Sequence, residues 1–581
     1  MKLISFEKKL GLPGAICVTV GAVIGVGIFV IVGSMGAKTG AYLPFTFLLA
    51  SLPAVFGTLV AISLGTTIPA DGGGFFYTTS LLGRKAGWVA SWLVVLGALG
   101  STATVAIGVA DYIQGSYLPN SPYYFRPLVG LGIILLTWGI NSFGIMASEK
   151  LQIGMVLQFG SALIIVIIAA LIGGGNPDFS QGLPPEHGVG GFIEASIIAA
   201  LSYTGFNIIG ELGDEVDNPR RNIPLTIIIG LLIIVAMYVG VGWVVCGTMT
   251  VNEMNISGLA LVDTALVYLP DWFKHYLNLA ALGGAITSIN AVFLAVPREF
   301  SAQSEAKMLP SWIMKFNPKR QTFPVGMAIV AIAGALLVLL NFSVDIYGLL
   351  CVAGLILANF LFSVGVFRIF KLFPDKVASA PIKLKRWWLQ PSAVISAILS
   401  LAFGVLAILF LYEEVGNAIV KKRAHKVIAH WYGNFRPSTA EKAKTDLWFG
   451  DKKLEGNAAK RFREDVERAV NGEYDLWKSD PRTSLSLVII LDQMPEKIPD
   501  YKKPDFDFQG KAEEFALYGI KREYHRELPL YGRLFYYMPL SRSDDPEVRQ
   551  KWEELYTELL KDSPPEIREL LEKHYRPAPG R

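Results

Sequence analysis

Up to about Leu411 the chain is a succession of apolar runs of roughly twenty residues, each parted from the next by a short cluster of charge. A run of that length suits an α-helix crossing a bilayer, where only helices and closed barrels satisfy their own backbone polar groups. This region is therefore expected to be an all-α membrane protein with eleven spans, at 12–32, 42–64, 87–107, 128–140, 153–172, 191–209, 225–246, 277–296, 323–340, 346–367 and 391–411. The fourth is the shortest of them. Beyond Glu413 charges are everywhere, so the 52% hydrophobic content and mean hydropathy of +0.42 describe a membrane region with something soluble attached.

Lysine and arginine occupy alternate connections: Arg84 and Lys85, Lys150, Arg220 and Arg221, Lys307 to Arg320, and Arg368 to Arg386. Residues 173–190 and 248–272 have none, which puts the N-terminus in the cytoplasm and, after an odd number of spans, the C-terminal domain outside. Lys2, Lys8 and Lys9 precede an apolar run with no small-residue cleavage site, so that run is a first span rather than a removable signal. A net charge of +4 over 581 residues argues for no nucleic-acid partner. Cys17, Cys246 and Cys351 lie in apolar runs, as small buried hydrophobes do, and the six histidines are scattered without metal-ligand spacing.

Two runs are unusual. Gly21-Ala22-Val23-Ile24-Gly25-Val26-Gly27-Ile28-Phe29 crowds small residues into mid-span, although each glycine costs a helix roughly 1 kcal/mol against alanine. Broken helix at membrane depth is tolerated only where the freed amides and carbonyls face a cavity, a ligand or an ion, and the other reading is close helix packing through small residues. The sixth run places Ser202, Tyr203, Thr204, Gly205 and Asn207 at its centre. Interrupted spans five segments apart are the pattern of two five-span halves related by inverted symmetry. A phosphate-loop reading of the glycines fails, because no strand precedes them and no Lys followed by Ser or Thr closes them.

Gly25-Val26-Gly27-Ile28-Phe29 resembles the first-span signature of the amino acid, polyamine and organocation transporter superfamily, and Ile68-Pro69-Ala70-Asp71-Gly72-Gly73-Gly74-Phe75-Phe76-Tyr77 its loop after the second span. Gly205-Phe206-Asn207 with the segment from Asp214 to Pro224 is similar to its sixth-span signature, and Asn290 with Met308-Leu309-Pro310 to the end of its eighth. The resemblance covers residues 1 to about 411 and implies the five-plus-five inverted repeat of the leucine-transporter fold. It implies that amides of Val26 and Gly27, exposed by a break near Gly25, bind a substrate carboxylate with help from the helix dipole. Carbonyls of Ala22, Leu201 and Thr204 would take an ammonium group, Phe206 would be an aromatic lid, and Tyr203 and Asn207, with Thr102 and Thr104, would line the side-chain pocket.

For the driving ion, Gly284, Thr287 and Ser288 resemble a sodium-binding pattern completed by carbonyls of Gly21 and Ile24, and sodium coupling is preferred. No lysine lies between Ile153 and Ile172, where several proton-coupled relatives carry one. Glu211 is the candidate for proton coupling or for balancing a cationic substrate, unless it faces a watery inner vestibule beside Arg220 or Arg221.

From Tyr412 the last span continues as a helical connection over 412–432, and 433–581 forms a soluble helical domain. Its segments around Trp431, Trp448, Leu485 to Pro495 and Arg533 to Leu540 resemble an all-helical, tetratricopeptide-like prokaryotic family of unknown function over about 420–560. Asp492 and Gln493 are its most functional-looking polar residues, though such groups are more often helix-packing. An engineered or a natural fusion accounts for a cytosolic-looking domain on the outer side. The leading expectation is a secondary active transporter of a small amino acid or related zwitterion, not an enzyme. The alternatives are an amine or polyamine transporter or exchanger, and a membrane-anchored scaffold whose tail binds a partner. Oligomeric state is not legible.

Overall fold

Helices that must face protein on one side and lipid on the other are apolar all round, and those of the first 413 residues are of this kind. A computed structural model describes residues 11–25, 27–68, 73–118, 124–142, 149–185, 187–205, 216–257, 259–320, 322–380, 385–432, 448, 453–528, 530–563, 568 and 571–572. These are helical apart from connections and one antiparallel bridge, Asn317 with Thr322. They form two units, Met1–Glu413 and Glu414–Arg581.

The first unit contains α1 (Leu12–Val23), α2 (Gly27–Thr39), α3 (Leu43–Thr67), α4 (Gly73–Leu82), α5 (Arg84–Tyr117), α6 (Phe125–Ser142), α7 (Glu149–Ile172), α8 (Gly188–Ala199), α9 (Pro219–Cys246), α10 (Phe273–Glu305), α11 (Pro324–Leu339) and α12 (Val344–Val366). Helix α13 (Arg386–Tyr432) contains the boundary between the units. Among the described residues eight helical stretches are long and apolar enough to cross a membrane, while Leu12–Val23, Gly188–Tyr203 and Pro324–Leu339 are shorter apolar helices. The fourth run is longer than its apolar core, reaching from Phe125 to Ser142, and within it Thr137 and Asn141 satisfy their side chains on the carbonyls four residues back, at 2.8 and 2.9 Å.

The lipid-facing surface is made by residues such as Leu157, Ile172, Leu232, Ile332 and Ile398, each more than half exposed. Inside, α5 and α12 touch backbone to backbone: a Cβ on Gly100 would stand 2.7 Å from the Cys351 amide nitrogen, and one on Gly354 2.6 Å from Cα of Gly97. Short helix α4 is anchored by Glu299 of α10. Its fully buried carboxylate accepts from the amides of Gly74 at 2.7 Å and Phe75 at 3.1 Å and from the Ser91 hydroxyl, to which Gln303 donates at 2.8 Å. A carboxylate at a helix N-terminus, in hydrogen-bond contact with its free amides, is doubly favoured.

The second unit packs α14 (Gly456–Val470), α15 (Pro481–Asp492), α16 (Phe508–Lys521), α17 (Leu530–Ser541) and α18 (Pro546–Asp562) around Phe462, Trp477, Phe515 and Tyr536. Burial pushes the Asp492 carboxyl up, against the opposing pull of Arg542 and Gln493, with which it pairs. That is a helix-packing role for both polar residues.

Glu299→Ala leaves two buried amides without their acceptor, at about 1–3 kcal/mol each. The melting temperature of the purified protein should fall by several degrees, and Glu299→Gln, which keeps one acceptor oxygen, should lie between.

Candidate binding site at two helix breaks

The first run is broken after Val23. Ile24, at φ −79° and ψ 87°, leaves the helix, and α2 begins at Gly27. The sixth run tightens into a 3₁₀ turn, Ala200–Tyr203, and then opens at extended Thr204 and at Gly205, φ +107°. The two breaks meet: a Cβ on Gly205 would stand 3.2 Å from the Ala22 carbonyl oxygen and 3.3 Å from Cγ2 of Val23. Only glycine satisfies both the left-handed backbone and the approach.

Helix α10 lies against the first break. A Cβ on Gly284 would lie 3.3 Å from the Ile24 carbonyl oxygen, and one on Gly25 2.7 Å from Ser288 Oγ. Carbonyls freed by the break are taken up by hydroxyls. Ser288 donates to Gly21 at 3.2 Å and reaches Ala22 at 3.5 Å, and Tyr238 of α9 donates to Val23 at 3.2 Å. Thr287 donates to Gly284 at 2.9 Å. In the sixth run the Leu201 carbonyl accepts from both the amide and the hydroxyl of Thr204, at 3.0 and 2.7 Å, so its two lone pairs are in use.

Between the breaks is a cavity lined by Ala22, Gly25, Gly27, Leu201, Thr204, Gly205 and Ser288 together with Ser202, Thr104, Tyr238 and one face of α5. Gly27 opens a helix here, so unpaired amides and partial positive charge belong to this wall. Gly21, Ile24, Gly284 and Thr287 lie immediately behind it, around Ser288. Tyr203 packs its ring edge-on to Tyr238 at 5.4 Å and lines a separate cavity with Gly57 and Asn359. Thr102 bonds the Ala98 carbonyl and faces Gly334, while Thr104 reaches the cavity. Val26, Phe206, Asn207 and Glu211 lie outside the described residues. Ser202, Ser101 and Tyr238 were missed by the sequence reading; a tyrosine alone in the apolar 225–246 run was the one available signal.

Ionised groups gather elsewhere. Along α2, roughly 16 Å from Gly27 at 1.5 Å per residue, Lys38 pairs with Glu194 and Ser34 contacts Asp345 at 3.4 Å. Arg126 grips Asp111 through two bonds of 2.5 and 2.8 Å and also holds the Phe342 carbonyl. Lys38, Asp111, Arg126 and Asp345 line a second cavity with about 1330 Å³ of empty space.

Residues 10–425 match the family described as amino acid permease, and residues 427–577 one described as a bacterial protein of unknown function. The chain is 26% identical over 354 residues to a vacuolar cationic amino acid transporter of Arabidopsis thaliana, covering 56% of this chain but only 58% of that protein. It is 27% identical over 336 residues to the methylthioribose transporter of Bacillus subtilis, covering 54% and 72% of the two chains. To a branched-chain amino acid permease of the same bacterium it is 24% identical over 340 residues, covering 55% and 71%.

The contact between Gly25 and Ser288 gives a double-mutant test. Gly25→Ala should lower the melting temperature, because its Cβ would stand 2.7 Å from the hydroxyl oxygen. In a Ser288→Ala background it should cost less, with a coupling of about 1 kcal/mol measured by unfolding of all four proteins.

Proposed function

The chain belongs over residues 10–425 to the amino acid permease family, and from that premise we propose that it is a secondary active transporter of a small amino acid or related zwitterion, working by alternating access. What carries the reading is the meeting of two helix breaks, Gly205 against Ala22, at the wall of a buried cavity. Amides of Val26 and Gly27 take the substrate carboxylate at the N-terminus of α2. Ala22 and Thr204 carbonyls take the ammonium group, Leu201 contributing less because its carbonyl is already shared. Phe206 closes over the substrate, with Asn207 on the side-chain side, while Tyr203 lines the neighbouring cavity.

The membrane unit is read as eleven spans in a five-plus-five inverted repeat, the first and sixth being the interrupted pair. Its N-terminus is cytoplasmic by the lysine and arginine distribution. Residues 433–581 are a domain attached through 412–432 by natural or engineered fusion, on the outer side.

Sodium is the proposed coupling ion. Gly21, Ile24, Gly284, Thr287 and Ser288 present oxygen atoms only, and the contacts among them join the first break to α10. A cation there would supply the inward driving force and favour that junction. Glu211 is the alternative, as a proton carrier.

Uptake of labelled neutral amino acids into proteoliposomes tests this, with an inward sodium gradient, a proton gradient or neither. Accumulation should follow sodium, and Ser288→Ala should raise the sodium concentration needed for half-maximal uptake. Gly27→Leu, which pushes a side chain into the cavity, should abolish uptake and any ligand-induced rise in melting temperature.

A further inference from the structure

Resting on the transport reading above, we propose that the Ser202 hydroxyl contacts the transported solute and that this solute is a neutral amino acid, with no charge beyond its amino and carboxyl groups. Ser202 is 4% exposed, lines the cavity, and its hydroxyl has no hydrogen-bond partner among the described residues. Four other hydroxyls that line the same cavity are in use. Ser288, Thr204, Tyr238 and Thr104 each spend their hydroxyl on a backbone carbonyl of Gly21, Leu201, Val23 or Gly100. A buried hydroxyl left unpaired is costly, and a ligand that pairs with it recovers that cost on binding.

The remaining walls define what such a ligand can carry. Among the described residues no Asp, Glu, Lys, Arg or His lines this cavity, and beyond the breaks its surface is made of Val94, Ala98, Val292, Ala295, Leu355 and Phe362. An extra ammonium, guanidinium or carboxylate would have to be buried against aliphatic and aromatic carbon without a counter-charge, which is strongly unfavourable. Short aliphatic and hydroxyl side chains meet matching surface. The charges that could pair with an ionised side chain, Lys38, Asp111, Arg126 and Asp345, line the other cavity.

The test is counterflow of labelled alanine in proteoliposomes holding the full-length protein, with unlabelled competitors outside. Glycine, alanine, serine, threonine and valine should compete; lysine, arginine, glutamate and putrescine should be weaker by about tenfold or more. Ser202→Ala should raise the alanine KM about five- to tenfold, the loss of one hydrogen bond, with the ligand-free melting temperature no lower than that of the wild type, and Ser202→Thr should restore the KM. A Ser202→Ala protein with wild-type KM overturns the assignment of Ser202. Lysine or arginine competing as well as alanine overturns the neutral-solute assignment alone, and would bring in Glu211 as the counter-charge. Absence of counterflow with every amino acid, neutral or charged, overturns the transport reading itself.

Discussion

The approach of Gly205 to the Ala22 carbonyl is the contact on which the membrane unit turns. A helix breaks in a bilayer only if every amide and carbonyl it frees finds another partner. In the first run partners come from other helices, Ser288 for Gly21 and Tyr238 for Val23, whereas in the sixth Thr204 serves Leu201 from within the run. The two breaks also meet directly, Gly205 against Ala22 and Val23. The amides of the first turn of α2, which a helix leaves without intrahelical partners, are the groups proposed above to hold the solute.

Around that centre the packing follows two rules. Glycines at Gly97, Gly100 and Gly354 let α5 and α12 touch, which makes one wall of the cavity stiff. The charged side chains named above are paired: Glu299 with the amides of α4, Arg126 with Asp111, Lys38 with Glu194. The walls of the cavity between the breaks are left uncharged among the described residues.

Local features of this arrangement were legible in the sequence. Glycine density at Gly21 to Gly27, and Ser, Thr and Gly at the centre of the sixth run, mark both interruptions, because helix cost is a property of a few adjacent residues. What was not legible is pairwise. Nothing in the sequence around Glu299 says that it meets Gly74 and Phe75 more than two hundred residues away, or that Tyr238 reaches Val23. Ser202 was legible as a polar residue of the sixth run but not as a contact for a solute, because that follows from its having no partner among the described residues. The fourth run looked too short because its last turn is polar, yet Asn141 closes that turn on Thr137.

The central claim is that bare amides at the start of α2 hold a carboxylate, and calorimetric titration of alanine against alaninamide tests it most directly. The two differ little in size, but only alanine carries the negative charge. The account predicts measurable binding of alanine and at least about tenfold weaker binding of alaninamide, equivalent to about 1.4 kcal/mol. Equal affinity for the two would contradict it.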